Sequence, residues 1–246
     1  MNKPHLLTLL FLAAFSPLLA AAPPAKPADD GERDEYAEST VIADPLERVN
    51  RATFWFNDKV YRFLFEPISK VYTTVLPKVV RRGIDNAYEN AKYPVRLVGS
   101  VMQGKLDLAA RQSGKFLLNS TVGIGGLLKP SQKVDWTKDL PAEDMGQALA
   151  KWGVGHGFYF VIPVMGPSSG RELVGMGVDY AANPVNWLWI IGSGAEDWAW
   201  IPPVGNTVAS LPEGLSRYKD STKDAIDPYT SVRSTFVQNR RSATER

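Results

Sequence analysis

The stretch DPLERVNRATFWFNDKVYRFLF, Asp44 to Phe65, decides how the rest of the chain is read. It opens with a helix start: Asp44 can cap, Pro45 is pre-set for the first turn, and Glu47 can reach back as a capping box. A helix to about Phe65 follows. At about 100° per residue, Leu46, Val49, Ala52, Phe56, Val60, Phe63 and Leu64 fall on one arc. Arg48, Arg51, Asp58, Lys59, Arg62 and Glu66 fall opposite, and Phe54, Tyr61 and Phe65 make a second, narrower stripe. Two environments suit such a helix, a protein core or a lipid interface. The second aromatic stripe favours the interface.

Upstream, the apolar run Leu6 to Leu19 ends in Ala20-Ala21-Ala22. It is too short for a membrane-spanning helix of roughly 20 residues and reads as a secretory signal peptide over 1–22. Residues 23–42, rich in Pro, Ala and acid, read as a disordered tether. Asp29 to Glu38 alone carries six acids against one arginine, which leaves residues 39–246 at +5 although the whole chain is only +2. That mild basicity argues against a nucleic-acid partner and suits anionic headgroups. A folded domain over 43–241 and a flexible tail over 242–246 complete the expected organisation.

The chain has no cysteine. Disulfides, Cys-based metal sites and a lipid-modified cysteine are therefore not expected. His156 is the single histidine beyond the leader, so no metal and no cofactor is expected either. Further helices are legible over Pro77 to Lys92, Val95 to Met102, Lys105 to Asn119 and Ala142 to Trp152, with Pro67, Pro77 and Pro94 breaking the chain into short pieces. Ser120 to Leu128 is a small-residue turn. Residues 158–163 read as one short strand or extended segment. Ser169-Gly170-Arg171-Glu172 is a capping box that launches a helix to Ala182, and Asp227-Pro228-Tyr229 starts the last helix. The fold class expected is all-α. No mature segment reaches 18 uninterrupted apolar residues, so a conventional transmembrane helix is not expected. Trp187, Trp189, Trp198 and Trp200 crowd around a polar turn, the placement an indole takes at a membrane-water boundary.

One enzymatic signal stands out. Gly166-Pro167-Ser168-Ser169-Gly170 fits Gly-x-Ser-x-Gly after a strand-like run and before a helix, as a nucleophile elbow would. That hydrolase order needs a histidine after the serine, and none exists beyond His156. A turn plus a helix cap accounts for the pattern, leaving a Ser168-dependent lipid hydrolase as a minor alternative. The glycines at 123, 125 and 126 and at 153, 155 and 157 complete no phosphate-loop pattern.

In series, Asp44 to Arg51 with Phe56-Asn57-Asp58, Phe116 to Leu127, Glu143 to Gln147 with Lys151 to Gly155, Gly166 to Ser169 and Asp227 to Arg241 make the chain resemble the MlaA/VacJ family of outer-membrane lipid-asymmetry proteins. The resemblance implies a compact ring of short amphipathic helices lying in the inner leaflet of the outer membrane, on its periplasmic side. It implies a polar passage that takes misplaced outer-leaflet phospholipids to a soluble periplasmic lipid carrier, beside a trimeric outer-membrane porin, without catalytic residues. Members commonly carry a lipid-modified cysteine after the signal peptide, which this chain lacks. Attachment is then expected from Phe54, Trp55, Phe56, Trp187, Trp189, Trp198 and Trp200. Asn50, Asn57, Asn119 and Ser168 are expected to shape the passage. A structural, porin-associated role is the alternative outside transport.

Overall fold

The computed structural model describes residues 42–186 and 201–246. The signal peptide, nearly all of the tether, and Trp187, Trp189, Trp198 and Trp200 lie outside the described residues. Within them are nine α-helices and one two-stranded antiparallel hairpin. The helices are α1 (Glu47–Val60), α2 (Glu66–Val75), α3 (Lys78–Ala91), α4 (Tyr93–Met102), α5 (Leu106–Thr121), α6 (Met145–Lys151), α7 (Gly170–Ala182), α8 (Ile201–Thr222) and α9 (Pro228–Thr244). The hairpin strands are β1 (Tyr159–Ile162) and β2 (Gly166–Ser169), between α6 and α7. No helix among the described residues is long and apolar enough to cross a membrane.

Local chemistry sets most helix starts. Asp144 caps α6 by accepting from Gln147 N–H at 2.8 Å, Ser169 caps α7 by accepting from Glu172 N–H at 3.4 Å, and Asp227 caps α9 by accepting from Tyr229 N–H at 3.1 Å. The start at Asp44 differs from the expected capping box. Leu46 is the N-cap and no side chain caps α1. Asp44 instead accepts from Asn50 Nδ2 at 2.7 Å, Arg233 Nη1 at 2.9 Å and the Tyr229 hydroxyl. Its negative charge is spent on tertiary partners that the sequence does not show. At the other end, α9 runs to Thr244 and buries Ala243, so helix occupies residues expected to be a flexible tail.

Pro67 does not break the chain. A single π turn, Tyr61–Phe65, joins α1 to α2, and Glu66 N–H bonds back to Tyr61 O. The widened turn changes the carbonyl register just before a proline that lacks an N–H, and the helix continues through it.

The strand segment is a hairpin rather than one strand. Tyr159 pairs with Ser169, Phe160 with Ser168 and Ile162 with Gly166. At its tip Val164 sits at φ 68°, a left-handed backbone that a β-branched residue rarely adopts. Both of its peptide groups are held: Val164 N–H donates to Asn57 Oδ1 at 2.6 Å and the Tyr61 hydroxyl donates to Val164 O at 3.0 Å. Neighbouring elements close a circuit: α1 lies on β1, β2 on α7, α7 on α6, α6 on α4, α4 on α5 and α3, α3 on α8, and α8 on α2. Two small apolar clusters bind it. One joins Phe65, Val164, Leu211 and Leu215, the other Ile42, Tyr159, Val161, Tyr229 and Val237.

Candidate functional site

The distribution of side chains is inverted relative to a water-soluble domain. Among the described residues, buried polar and charged side chains outnumber buried apolar ones, while large apolar side chains are exposed on almost every helix. On α1 through α2 the expected apolar arc faces outward, with Val49 61%, Phe63 76% and Val75 69% exposed. A contiguous exposed apolar surface of this kind marks a contact with lipid or protein.

The opposite edge of α1 is polar and buried. Asn50 donates Nδ2 to Tyr159 O at 3.1 Å and accepts from Val161 N–H at 2.9 Å. Seven residues on, Asn57 donates Nδ2 to Ile162 O at 3.0 Å and accepts from Val164 N–H. Two carboxamides thus supply the hydrogen bonds that a third strand would give to β1. A second clamp crosses the helix starts. Arg51 forks onto Asp227 at 3.1 and 2.8 Å, Arg233 bonds Asp44, and both guanidiniums lie over the Tyr229 ring.

Two charge clusters occupy the interior. In the first, Glu89 on α3 accepts from Lys115 of α5 at 3.2 Å and from Lys129, and Arg96 Nη1 of α4 lies 3.8 Å away. Burial pushes the Glu89 carboxyl up, but the charges of Lys115, Lys129 and Arg96 outweigh it and hold the group at about 2. Lys92, half-buried at the start of α4, is lowered by burial and then by Arg96, with Glu89 and Asp85 offsetting only part. In the second cluster Arg240 of α9 bonds Asp144 at 2.8 Å and Glu172, while Arg171 bonds Glu172 at 3.0 Å and points Nη2 at His156 Nδ1 at 3.1 Å. Burial and the two arginines depress His156 to about 4, so the imidazole is neutral and Nδ1 accepts. Burial, then Asp144, raises Asp179 to about 7, although Met145 N–H donates to it at 3.0 Å. Between the clusters, fully buried Glu143 accepts from Gln103 at 2.6 Å and Lys105 at 3.0 Å.

A family model described as "MlaA lipoprotein" matches residues 42–243. The chain belongs to the MlaA family. A relative in Haemophilus influenzae, the "Intermembrane phospholipid transport system lipoprotein MlaA", is 28% identical over 80% of this chain and 77% of its own. The protein of the same description in Escherichia coli K12 is 26% identical over 80% and 76%. An uncharacterized Rickettsia prowazekii protein is 27% identical over 83% and 79%. A chain solved for the "structural basis for maintenance of bacterial outer membrane lipid asymmetry" superposes with a TM-score of 0.66 at 24% identity, covering 82% of this chain and 99% of that one, and shares the fold.

On this MlaA fold the residues singled out from sequence separate. Trp55 and Phe56 are exposed. Phe54 is turned inward, edge-on to Tyr229 with centroids 5.8 Å apart and tilted on Tyr218 at 6.2 Å. Tyr61 and Phe65 pack inward with it, so the narrow aromatic stripe covers α8 and α9 while the broad arc faces out. Asn119 is buried and accepts from Ser131 N–H at 3.3 Å, holding the glycine-rich turn, and Ser168 is buried within β2, its Oγ without a hydrogen-bond partner among the described residues. Sequence reasoning missed Glu89, Arg96, Lys115 and Lys129. Each is a lone charge on its own segment and looks the same as a solvated face.

Proposed function

We propose that this protein moves phospholipids, taking those misplaced in the outer leaflet of the outer membrane through a polar passage to a periplasmic lipid carrier. The observation that carries this reading is the inverted distribution, an apolar exterior around a charged interior, in a chain of the MlaA family. Acyl tails meet the outer apolar faces, and headgroups need the polar inside. Trp55 and Phe56, with Trp187, Trp189, Trp198 and Trp200, contact the bilayer from the periplasmic side, beside a trimeric porin. Asn50, Asn57, Asn119 and Ser168 shape the passage from behind by fixing the hairpin and the glycine turn. The relatives from Haemophilus influenzae and Escherichia coli are named for intermembrane phospholipid transport, which supports the substrate class.

No bond is made or broken in this proposal. Ser168 is buried opposite Phe160, and His156 spends Nδ1 on Arg171. The test is chemical labelling of surface phospholipid in cells with and without the protein. Its loss should raise labelled phospholipid, and Ser168→Ala should restore normal levels like the wild type. Unchanged labelling after deletion, with porin levels falling, would leave a structural porin-associated role instead.

A further inference from the structure

The Glu89 cluster gathers more cationic donors than one carboxylate can satisfy. Lys115 and Lys129 occupy its two oxygens. Arg96 is left at 3.8 Å, an ion pair too long for a hydrogen bond, although the residue is only 6% exposed. Its Nε is shielded from solvent and has no hydrogen-bond partner among the described residues. Burying a guanidinium without bonding its donors is expensive, and a fold does so where something else completes the site. Lys92, at the start of α4, adds a further positive charge beside Arg96, offset in part by Glu89 and Asp85.

We propose that Arg96, together with Lys115 and Lys129, binds the phosphate group of a phospholipid in transit. The site rests on the transport reading above and names the chemistry inside it. A guanidinium fork matches two phosphate oxygens, and the lysines add point charges. Glu89 keeps Lys115 and Lys129 in place and competes with the ligand, so the phosphate is held and can also leave. Tyr93 of α4 stacks on Phe116 of α5, with centroids 4.4 Å apart and planes 12° from parallel, which ties together the two helices that carry Arg96 and Lys115.

The test uses the full chain in detergent, titrated with fluorescently tailed phosphatidylglycerol and, separately, with the matching diacylglycerol, which lacks the phosphate. Wild type should prefer phosphatidylglycerol, and Arg96→Gln should weaken that binding about tenfold while leaving diacylglycerol unchanged. Glu89→Gln should tighten phosphatidylglycerol, a gain that a misfolded variant cannot give. Equal phosphatidylglycerol binding by wild type and Arg96→Gln, or weaker binding by Glu89→Gln, overturns the site. Inorganic phosphate should displace the lipid poorly; displacement at the same concentration as phosphatidylglycerol itself would make this a free-phosphate site and overturn the lipid assignment. Arg96→Gln cells whose surface phospholipid matches wild type, alongside unchanged lipid binding, would remove the site and leave transport standing. Absence of a surface-labelling change in the deletion strain would remove transport itself.

Discussion

The interior holds two charge clusters, one of lysines and an arginine around Glu89 and one of arginines and acids around Glu172, and they end in different states. Around Glu172 every ionic group has a counterpart: Arg240 spans Asp144 and Glu172, Arg171 lies against Glu172 and neutral His156, and Asp144 also caps α6. Around Glu89, three cations meet one carboxylate, and buried Arg96 is the least satisfied of them. The first is a closed network that fixes α6, α7 and α9 against one another. The second spends stability to keep positive charge available in the interior. Buried ion pairs make a strut in one place and a binding surface in the other, and the balance of donors to acceptors separates the two roles.

The contrast can be broken most sharply at Glu172. Glu172→Gln leaves buried Arg171 without its paired carboxylate and Arg240 with Asp144 alone, and denaturant unfolding in detergent should show a loss of about 3–5 kcal/mol. A near-silent substitution would mean the cluster is not a strut. Gly175 tests whether that closure depends on backbone approach. A Cβ there would run into the Gly146 backbone of α6, so Gly175→Ala should cost about 2 kcal/mol by forcing the two helices apart. The same melt reads it.

A smaller effect is expected at Asp179. Its carboxyl is held protonated in the folded protein up to about pH 7, against 3.8 ordinarily. The stability it contributes is complete below about pH 4 and is lost as pH rises through 7. Asp179→Asn should remove that slope, matching wild type at pH 4 and exceeding it by about 1 kcal/mol or more at pH 8. A wild-type stability that stays flat across this window would contradict the assignment. The smallest change belongs to the other cluster. Arg96→Met should unfold within about 1 kcal/mol of wild type, or be more stable, because an apolar chain of similar reach replaces an unsatisfied cation. A large loss would show that Arg96 holds the fold together and would erase the difference between the clusters.

Much of the architecture was legible because it is local. Ser169 and Asp227 announce their helices within a few residues, and the period of α1 shows at once in Val49, Phe56 and Phe63. The hairpin was half legible: Tyr159–Ile162 has strand composition, but Gly166–Ser169 reads as a turn and becomes a strand because it pairs with β1, which the carboxamides of α1 hold from its other edge. Which stripe of α1 faces lipid was not decided by the stripe itself. Phe54 and Tyr61 turn inward because Tyr218 and Tyr229, more than 150 residues later, supply the rings they pack on. The charged interior was hidden for the same reason, since Glu89, Arg96, Lys115 and Lys129 come from separate segments and meet only in three dimensions.

The π turn at Tyr61–Phe65 has a geometric consequence for the outer surface. An added residue in one turn rotates everything downstream by about 100°. With that offset, Ile68, Val71 and Val75 of α2 continue the line drawn by Val49, Phe56 and Phe63 along a single rod from 47 to 75. Straightening that turn into regular α-helix with every residue kept would swing the apolar side of α2 about a quarter turn away from that of α1, splitting one continuous keel into two that point in different directions, whereas deleting one residue along with the turn would leave the keel whole.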